Sequence, residues 1–244
     1  MGDNTANTTG FDLDDNNRIQ NGTIEIGPYE YNGPECILYT TGVVYVDSTA
    51  TGLNDGTSWA NAFNLVQDAL EVAFFCDVDT IKVAQGTYYP GTYDTVSSCT
   101  GISITTPSRE DFFFIPDDIV MLGGYKSGGS EETWRDWYCY ATILSGDINH
   151  DGDSAGNVHH VVKTMDYDSC IMVDGFIIEQ GNAVGHHEGG GGWWDGSTAD
   201  SAKLVIRNTT FRNNFAYSGG GFYGTGTRDL FIHHSVFHLS LIHI

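Results

Sequence analysis

Positive charge is what this chain has least of. Lys and Arg number 10 against 32 Asp and Glu, a formal net charge of -22 over 244 residues. A phosphate backbone is gripped by clustered Lys and Arg, so nucleic-acid binding is excluded, and docking on anionic lipid is excluded for the same reason. Charge of either sign is thin: 17% of residues, against roughly 25% in an average soluble protein. No apolar run reaches the roughly 18 residues of a transmembrane helix, so no membrane insertion is expected within this segment. The five cysteines (Cys36, Cys76, Cys99, Cys139 and Cys170) include no CxxC pair, which excludes a zinc knuckle and a thioredoxin-like motif. Their odd number leaves either one free thiol or a partner outside the chain. The opening residues MGDNTANTTG carry neither a basic region nor an apolar core, so no signal peptide is read there.

What is abundant points to short strands and many turns. There are 31 glycines, and aromatic residues make up 13% of the chain, which argues against a disordered polypeptide. Asn, Asp and Gly satisfy tight turn geometry. The chain divides near residue 35: Thr23 to Ile26 reads as an isolated alternating strand, Gly33-Pro34 as a linker, and Val43 to Val46 as a new start. Trp59 to Phe75 carries an apolar stripe through Leu65, Val66, Ala69, Leu70, Ala73 and Phe74 and predicts one helix, with Ser58 as N-cap. From there the pattern predicts short strands only, at Thr80–Ala84, Phe112–Ile115, Ile119–Leu122, Thr142–Leu144 and His160–Val162.

The last third repeats itself. Ile171, Val173 and Ile178 align with Leu204, Ile206 and Phe211 at an offset of 33, and these with Leu230, Ile232 and Phe237 at an offset of 26. Gly189 to Gly192 and Gly219 to Gly221 recur in the gaps, followed by Trp193-Trp194 and Phe222-Tyr223. Units of this length with short strands and polar turns predict an all-β solenoid, a parallel β-helix whose N-terminal end is capped by the helix. From Thr80 to His238 there is room for roughly six coils, a rod of about 30 Å at the usual strand spacing.

Several segments carry a resemblance: VYVDSTATGLNDGTSWANAFNLVQDAL at 43 to 69, DTIKVAQGTYYP at 79 to 90, IPDDIVMLGGY at 115 to 125, TILSGDINHDGD at 142 to 153, and VDGFIIEQGNA with its downstream glycines. Together they resemble right-handed parallel β-helix proteins of the pectin-lyase-like superfamily, of the large secreted or surface kind found in bacteria. The resemblance implies an extracellular or cell-surface location. It also implies that residues 1–33 close a preceding β-helix domain, that 34–42 link, and that 43–238 open the next. Residues 239–244 break the pattern and read as a non-native or truncated tail, so the whole is expected to be an internal fragment that aggregates in isolation.

Candidate sites follow from residue types. Asp147, Asn149, Asp151 and Asp153, with Gly152, match the first half of a calcium loop, although Ala155 and Val158 stand where further ligands belong; Ca2+ is the implied ion, with Asp166 and Asp168 available nearby. Three His-His pairs (159–160, 186–187 and 233–234) cannot chelate one metal from a strand, because neighbouring side chains face opposite sides, but stacking of coils could bring single histidines together. Resemblance to the superfamily's lyases implies an Arg base and acidic partners, with Arg207 and Asp174 the nearest candidates and Arg212 and Arg228 also present. A hydrolase needs two carboxylates about the scissile bond, and Asp117-Asp118 is the adjacent pair. Trp193, Trp194, Phe222 and Tyr223 are candidates for stacking on a carbohydrate or another cell-surface ligand, against the alternative that they fill an interior layer. The reading reached is a non-catalytic extracellular segment, a stalk or adhesin-like surface, with a polysaccharide lyase or glycoside hydrolase as the alternative.

Overall fold

In the five residues Cys170–Asp174 the side chains of Ile171 and Val173 are fully buried while Cys170 and Met172 are partly exposed, the alternation of a strand with one face on a core. Strands of this type build the whole of the described unit. A computed structural model describes residues 42–76, 78–91, 94–95, 103–104, 107–129, 135–165, 167–186, 189–197, 199, 201–225 and 229–240. These belong to one compact unit, Tyr39–Ile244. The expected closing segment at 1–33, the linker apart from Gly42, and residues 241–244 of the tail lie outside the described residues.

The fold is mostly strands in parallel sheets with one helix. The first sheet has six strands, in spatial order Val43–Val46, Thr80–Ala84, Val120–Tyr125, Cys170–Asp174, Lys203–Arg207 and Asp229–His233. The second has five: Gly86–Tyr88, Thr142–Ser145, Phe176–Glu179, Thr210–Arg212 and Val236–His238. The third has four: Phe113–Phe114, Val162–Thr164, Trp193–Asp195 and Phe222–Gly224. All pairings in these sheets are parallel, and each successive segment visits the sheets in the same order. Asn182–Ala183 and Phe215–Ala216 form a short parallel pair, and Asp94–Thr95 pairs antiparallel with Ser103–Ile104.

Register places like residues over like. Val44, Ile81, Met121, Val173, Ile206 and Ile232 are successive partners up the first sheet. Tyr88, Leu144, Ile178, Phe211 and Phe237 form the corresponding ladder in the second, the last two rings stacked 4.7 Å apart. Phe113, Val162, Trp193 and Phe222 do the same in the third. Up to Ile206, Phe211 and Trp193 these ladders meet in one core, with Phe222 packed against it, while Ile232 and Phe237 at the ends are exposed. The repeat offsets of 33 and 26 read from the sequence are the register itself: Ile171 pairs with Leu204 and Leu204 with Leu230. From Thr80 onward the first sheet has five strands rather than six, because the excursions between Tyr88 and Phe113 and between Tyr125 and Thr142 use up chain.

The later corners between the first and second sheets are short, one residue at Gly175 and two at Asn208-Thr209 and at His234-Ser235. Gly175, Asn208 and His234 occupy equivalent places, all in the left-handed region (φ +86°, +47° and +49°). Gln180, Asn213 and Leu239 repeat that conformation after the second-sheet strand. Glycine adopts it freely, Asn with little penalty, and other residues at a cost.

The helix spans Val66–Phe75, shorter than the expected Trp59–Phe75. The main chain before it is already engaged: Phe63 bridges to Val46 and exchanges hydrogen bonds with Tyr45 and Asp47. Trp59 packs on the rings of Tyr45 and Tyr125, and Leu65, not Ser58, is the N-cap. The helix buries Val66, Ala69, Leu70, Val72 and Ala73 over the first strands of the first and third sheets. Among the described residues no helix is long and apolar enough to cross a membrane.

Buried polar groups tie one segment to the next. Thr164 donates to the Asp195 carboxylate (3.1 Å) and accepts from the Trp193 indole (2.9 Å), while the Tyr167 hydroxyl approaches the second Asp195 oxygen at 3.4 Å. Burial pushes the Asp195 carboxyl above its usual range, against the hydrogen bonds from Ser197, Thr164 and Tyr167. A raised folded value means that the ionised form opposes folding, so stability is lost as pH rises through it. Asp195→Asn therefore melts at a higher temperature than wild type at pH 7, and the difference closes as pH falls toward the usual Asp value near 3.9; circular dichroism melts across that range measure it. Close packing is tested at Gly181, whose N–H donates to the fully buried Asn214 (2.9 Å) and where a Cβ would collide with the Gly191 carbonyl. Gly181→Ala is expected to cost about 2–3 kcal/mol in urea unfolding.

Candidate functional site

Lys203–Arg207 alternates outward and inward, with Leu204 and Ile206 buried and Lys203, Val205 and Arg207 facing out. The next strand pairs with it in register, Val205 opposite Phe231 and Arg207 opposite His233. The outward side chains of these two strands, with His234 at the corner, line a groove of about 350 Å³: Lys203, Val205, Arg207, Phe231, His233 and His234. Among the described residues no carboxylate lines it, Asp229 standing beside Lys203 in the register. The Lys203 ammonium lies 5.5 Å from the Phe231 ring centre, and the Phe231 and His233 rings are nearly parallel at 6.1 Å. Two fixed cations, two imidazoles and an exposed ring thus share one face of a strongly acidic chain. Lys203 and Phe231 were not singled out from the sequence, and His233 was marked only as a member of a histidine pair. The signal was the alternation of Lys203, Val205 and Arg207 with buried neighbours, combined with the offset of 26.

Arg207 and Asp174, the lyase candidates, are register partners, but their side chains are not a poised pair. Asp174 is buried and Arg207 lies 3.9 Å away. Arg135 binds the Asp174 carboxylate at 2.8 Å and also bonds the carbonyls of Gly123 and Asp174, while Asn208 donates to the same carboxylate oxygen at 2.8 Å. Burial alone would raise the Asp174 carboxyl; the hydrogen bonds from Arg135 and Asn208, with the charges of Arg135 and Arg207, hold it below the usual range. The arrangement fixes the corner at Gly175 and leaves Arg207 half exposed toward the groove. Arg212 pairs with Glu179, its register partner, at 2.5 Å, and Arg228 lies outside the described residues.

The Asp147 loop is closed by its own main chain. Asp147 accepts from the amides of Asp151 (3.3 Å) and Gly152 (3.1 Å), Asp151 from Asp153 (2.7 Å) and from the Asn149 side chain (2.8 Å), and Asp153 from Ala155 (3.0 Å). The four candidate calcium ligands share one turn whose oxygens are directed at N–H groups. Asp166 lies outside the described residues. Asp117 likewise ties two turns together, accepting from the amides of Asp118, Asp168 and Ser169.

Of the aromatic turns, Trp193 is fully buried in the third-sheet ladder and presents no face, which removes it from the ligand surface; the indole fills the core and bonds Thr164. Trp194 and Tyr223, its register partner, point to the other side and are partly exposed. The Lys163 ammonium lies 4.8 Å from the Trp194 ring centre. Phe222 is partly buried and packs against the core. The histidine pairs do not split to opposite sides: His233 and His234 both line the groove, and the rings of His159 and His160 both approach His186, at 4.6 and 5.1 Å, with His160 buried and its Nδ1 2.9 Å from the Gly190 carbonyl. His187 lies outside the described residues. Of the cysteines, Cys76 is disulfide-bonded, and Cys139 and Cys170 are free thiols.

Compared with known proteins, the chain matches no family model, no curated protein and no solved structure. The geometry around Asp174 gives its own test. Because the folded carboxyl is held below its usual value, its contribution is present above about pH 4 and is lost as pH falls further. Arg135→Met leaves a buried carboxylate without its closest cation and is expected to cost about 3 kcal/mol at pH 7. At pH 3 the penalty shrinks as Asp174 protonates; urea midpoints at the two pH values check both statements.

Proposed function

We propose that this unit is a right-handed parallel β-helix of the pectin-lyase-like superfamily and works as a non-catalytic extracellular segment, a stalk or adhesin-like surface that binds carbohydrate bearing carboxylate groups. The groove on the outer face of the first sheet carries the reading. Lys203 and Arg207 supply charge for a uronate carboxylate, and Phe231 a flat apolar face for a sugar ring. A chain of net charge -22 repels acidic polymers at long range, so a local cationic groove concentrates binding in one place. Three observations support the solenoid reading: parallel pairing throughout the three large sheets, the fixed order in which segments visit them, and ladders of like residues. The Cys76 disulfide favours an oxidising, extracellular location.

The second reading, a polysaccharide lyase, draws on the same groove, because Arg207 stands in it beside Lys203 and the two histidines. A hydrolase finds less support, since among the described residues lining the groove there is no carboxylate and two are needed about the bond. One experiment separates the readings. The chain is titrated with polygalacturonate, alginate and neutral dextran by calorimetry, and the same mixtures are followed for unsaturated, ultraviolet-absorbing ends. Binding of the acidic polymers but not dextran, weakened at least about tenfold by Arg207→Ala with Lys203→Ala and without new chain ends, is the expected result. Accumulating unsaturated ends establish the lyase. Equal affinity for dextran, or binding unchanged by the double substitution, removes the groove from the proposal.

A further inference from the structure

We propose that Glu110, His159 and His186 form a site for a divalent transition-metal ion, with zinc the best-matched ion. The three residues come from separate turns, yet their ligand atoms all lie within 4.8 Å of one another. His159 Nε2 and Glu110 Oε1 are 3.4 Å apart. Two ligands held at about 2.0–2.1 Å from a tetrahedral zinc lie roughly 3.3–3.4 Å apart, so this pair already has the spacing of two corners of such a site. His186 completes the set through a short side-chain adjustment on its turn.

The surroundings orient His159 as a ligand. Its Nδ1 side is occupied by the frame, 3.2 Å from the Asn182 carbonyl and 3.5 Å from the Arg109 guanidinium, which leaves Nε2 directed at Glu110. A ligating histidine commonly has its other nitrogen fixed in this way. A cation placed between Nε2 and Oε1 would take one bond from each. Arg109 holds the frame from the other side of the ring, donating to the carbonyls of Asn157 (2.8 Å) and Asn182 (3.0 Å), and its own carbonyl accepts from the His159 amide (2.8 Å). Glu110 stands on a turn closed by the Ser108 amide to Asp111 (2.6 Å), and His186 on one closed by its amide to the Ala183 carbonyl (3.1 Å).

Two imidazoles and one carboxylate suit zinc, cobalt or iron(II) and leave coordination positions for water or a ligand; calcium prefers an all-oxygen shell. The bound ion would tie the turn that enters the third sheet to two later segments, closing long stretches of chain in the folded state alone. Apo protein, untagged and treated with chelator, is titrated with Co2+ and read by its visible spectrum. The expected result is one Co2+ per chain with the intense bands of a low-coordinate N/O site, displaced by Zn2+ and not by equimolar Ca2+. Glu110→Gln and His186→Ala each weaken Co2+ binding at least about tenfold. His238→Ala, on the last strand of the second sheet, leaves it unchanged. Both variants alter exposed or half-buried positions, and far-ultraviolet circular dichroism verifies their folding. Zinc raises the melting temperature of wild type and not of Glu110→Gln. No stoichiometric Co2+ binding, or binding equally strong in Glu110→Gln and His186→Ala, overturns the assignment.

Discussion

Parallel backbone register is the constraint on which the rest of this molecule depends. When one strand pairs in parallel with the next, every side chain repeats its direction about 4.8 Å further on, so an inward position in one segment commands the same position in its neighbours. The ladder from Val44 through Ile81, Met121, Val173 and Ile206 to Ile232 is one such position occupied six times. A polar residue at the inner levels, from Ile81 to Ile206, would meet apolar surface above and below, with nothing to satisfy it. The ladders in the other two sheets face the same interior, so the core holds only while all three registers agree. A slip of one residue would turn a whole strand inside out.

The polar groups admitted to that interior reinforce the agreement. Asp195 reaches back to Thr164, Asn214 to Gly181 and the carbonyl of Ile178, and Asn208 to Asp174, each joining residues 31 to 36 positions apart. Those are the separations of neighbouring segments, and a bond that closes only at the right separation penalises every other alignment. Burial makes these groups costly to leave unpaired, and the cost enforces the register. The corner residues serve the same end. A left-handed residue at Gly175, Asn208 and His234 lets the chain pass from one sheet to the next within one or two residues, with little slack in which pairing could drift.

Inward features were legible because they repeat. The alignment of Ile171 with Leu204 and Leu230 needs no structural knowledge, only recurrence, and it is the pairing seen. Thr80–Ala84 was legible to the residue from its short apolar pattern bounded by turns, without any repeat. The helix start was not. Apolar spacing extends back to Trp59, but the main-chain bonds of Phe63 to the first strand claim that stretch, and such bonds leave no trace in side-chain periodicity. Arg135 escaped notice because it acts from an excursion between strands, outside any repeat, and meets Asp174 across 39 residues. Trp193 and Trp194 illustrate the limit within the repeat: adjacency marks both as notable, but only the strand's phase decides that Trp193 faces the core and Trp194 the outside.

Outward positions obey the opposite rule, and this is where chemistry has room. Stacking demands nothing specific of them, so they are free to differ from level to level, yet register still sets each beside a partner distant in sequence. Arg207 stands next to His233 and Lys203 next to Asp229 for no reason of local sequence. Where consecutive levels supply Lys203, Arg207, Phe231 and His233, a cationic groove forms on a chain of net charge -22. Where turns at neighbouring levels supply Glu110, His159 and His186, metal-ligand chemistry gathers from residues up to 76 positions apart. A fold built this way separates its two tasks cleanly. The interior spends its sequence on sameness, which holds the register, and that register then brings unlike outward residues into contact at spacings no local motif could encode.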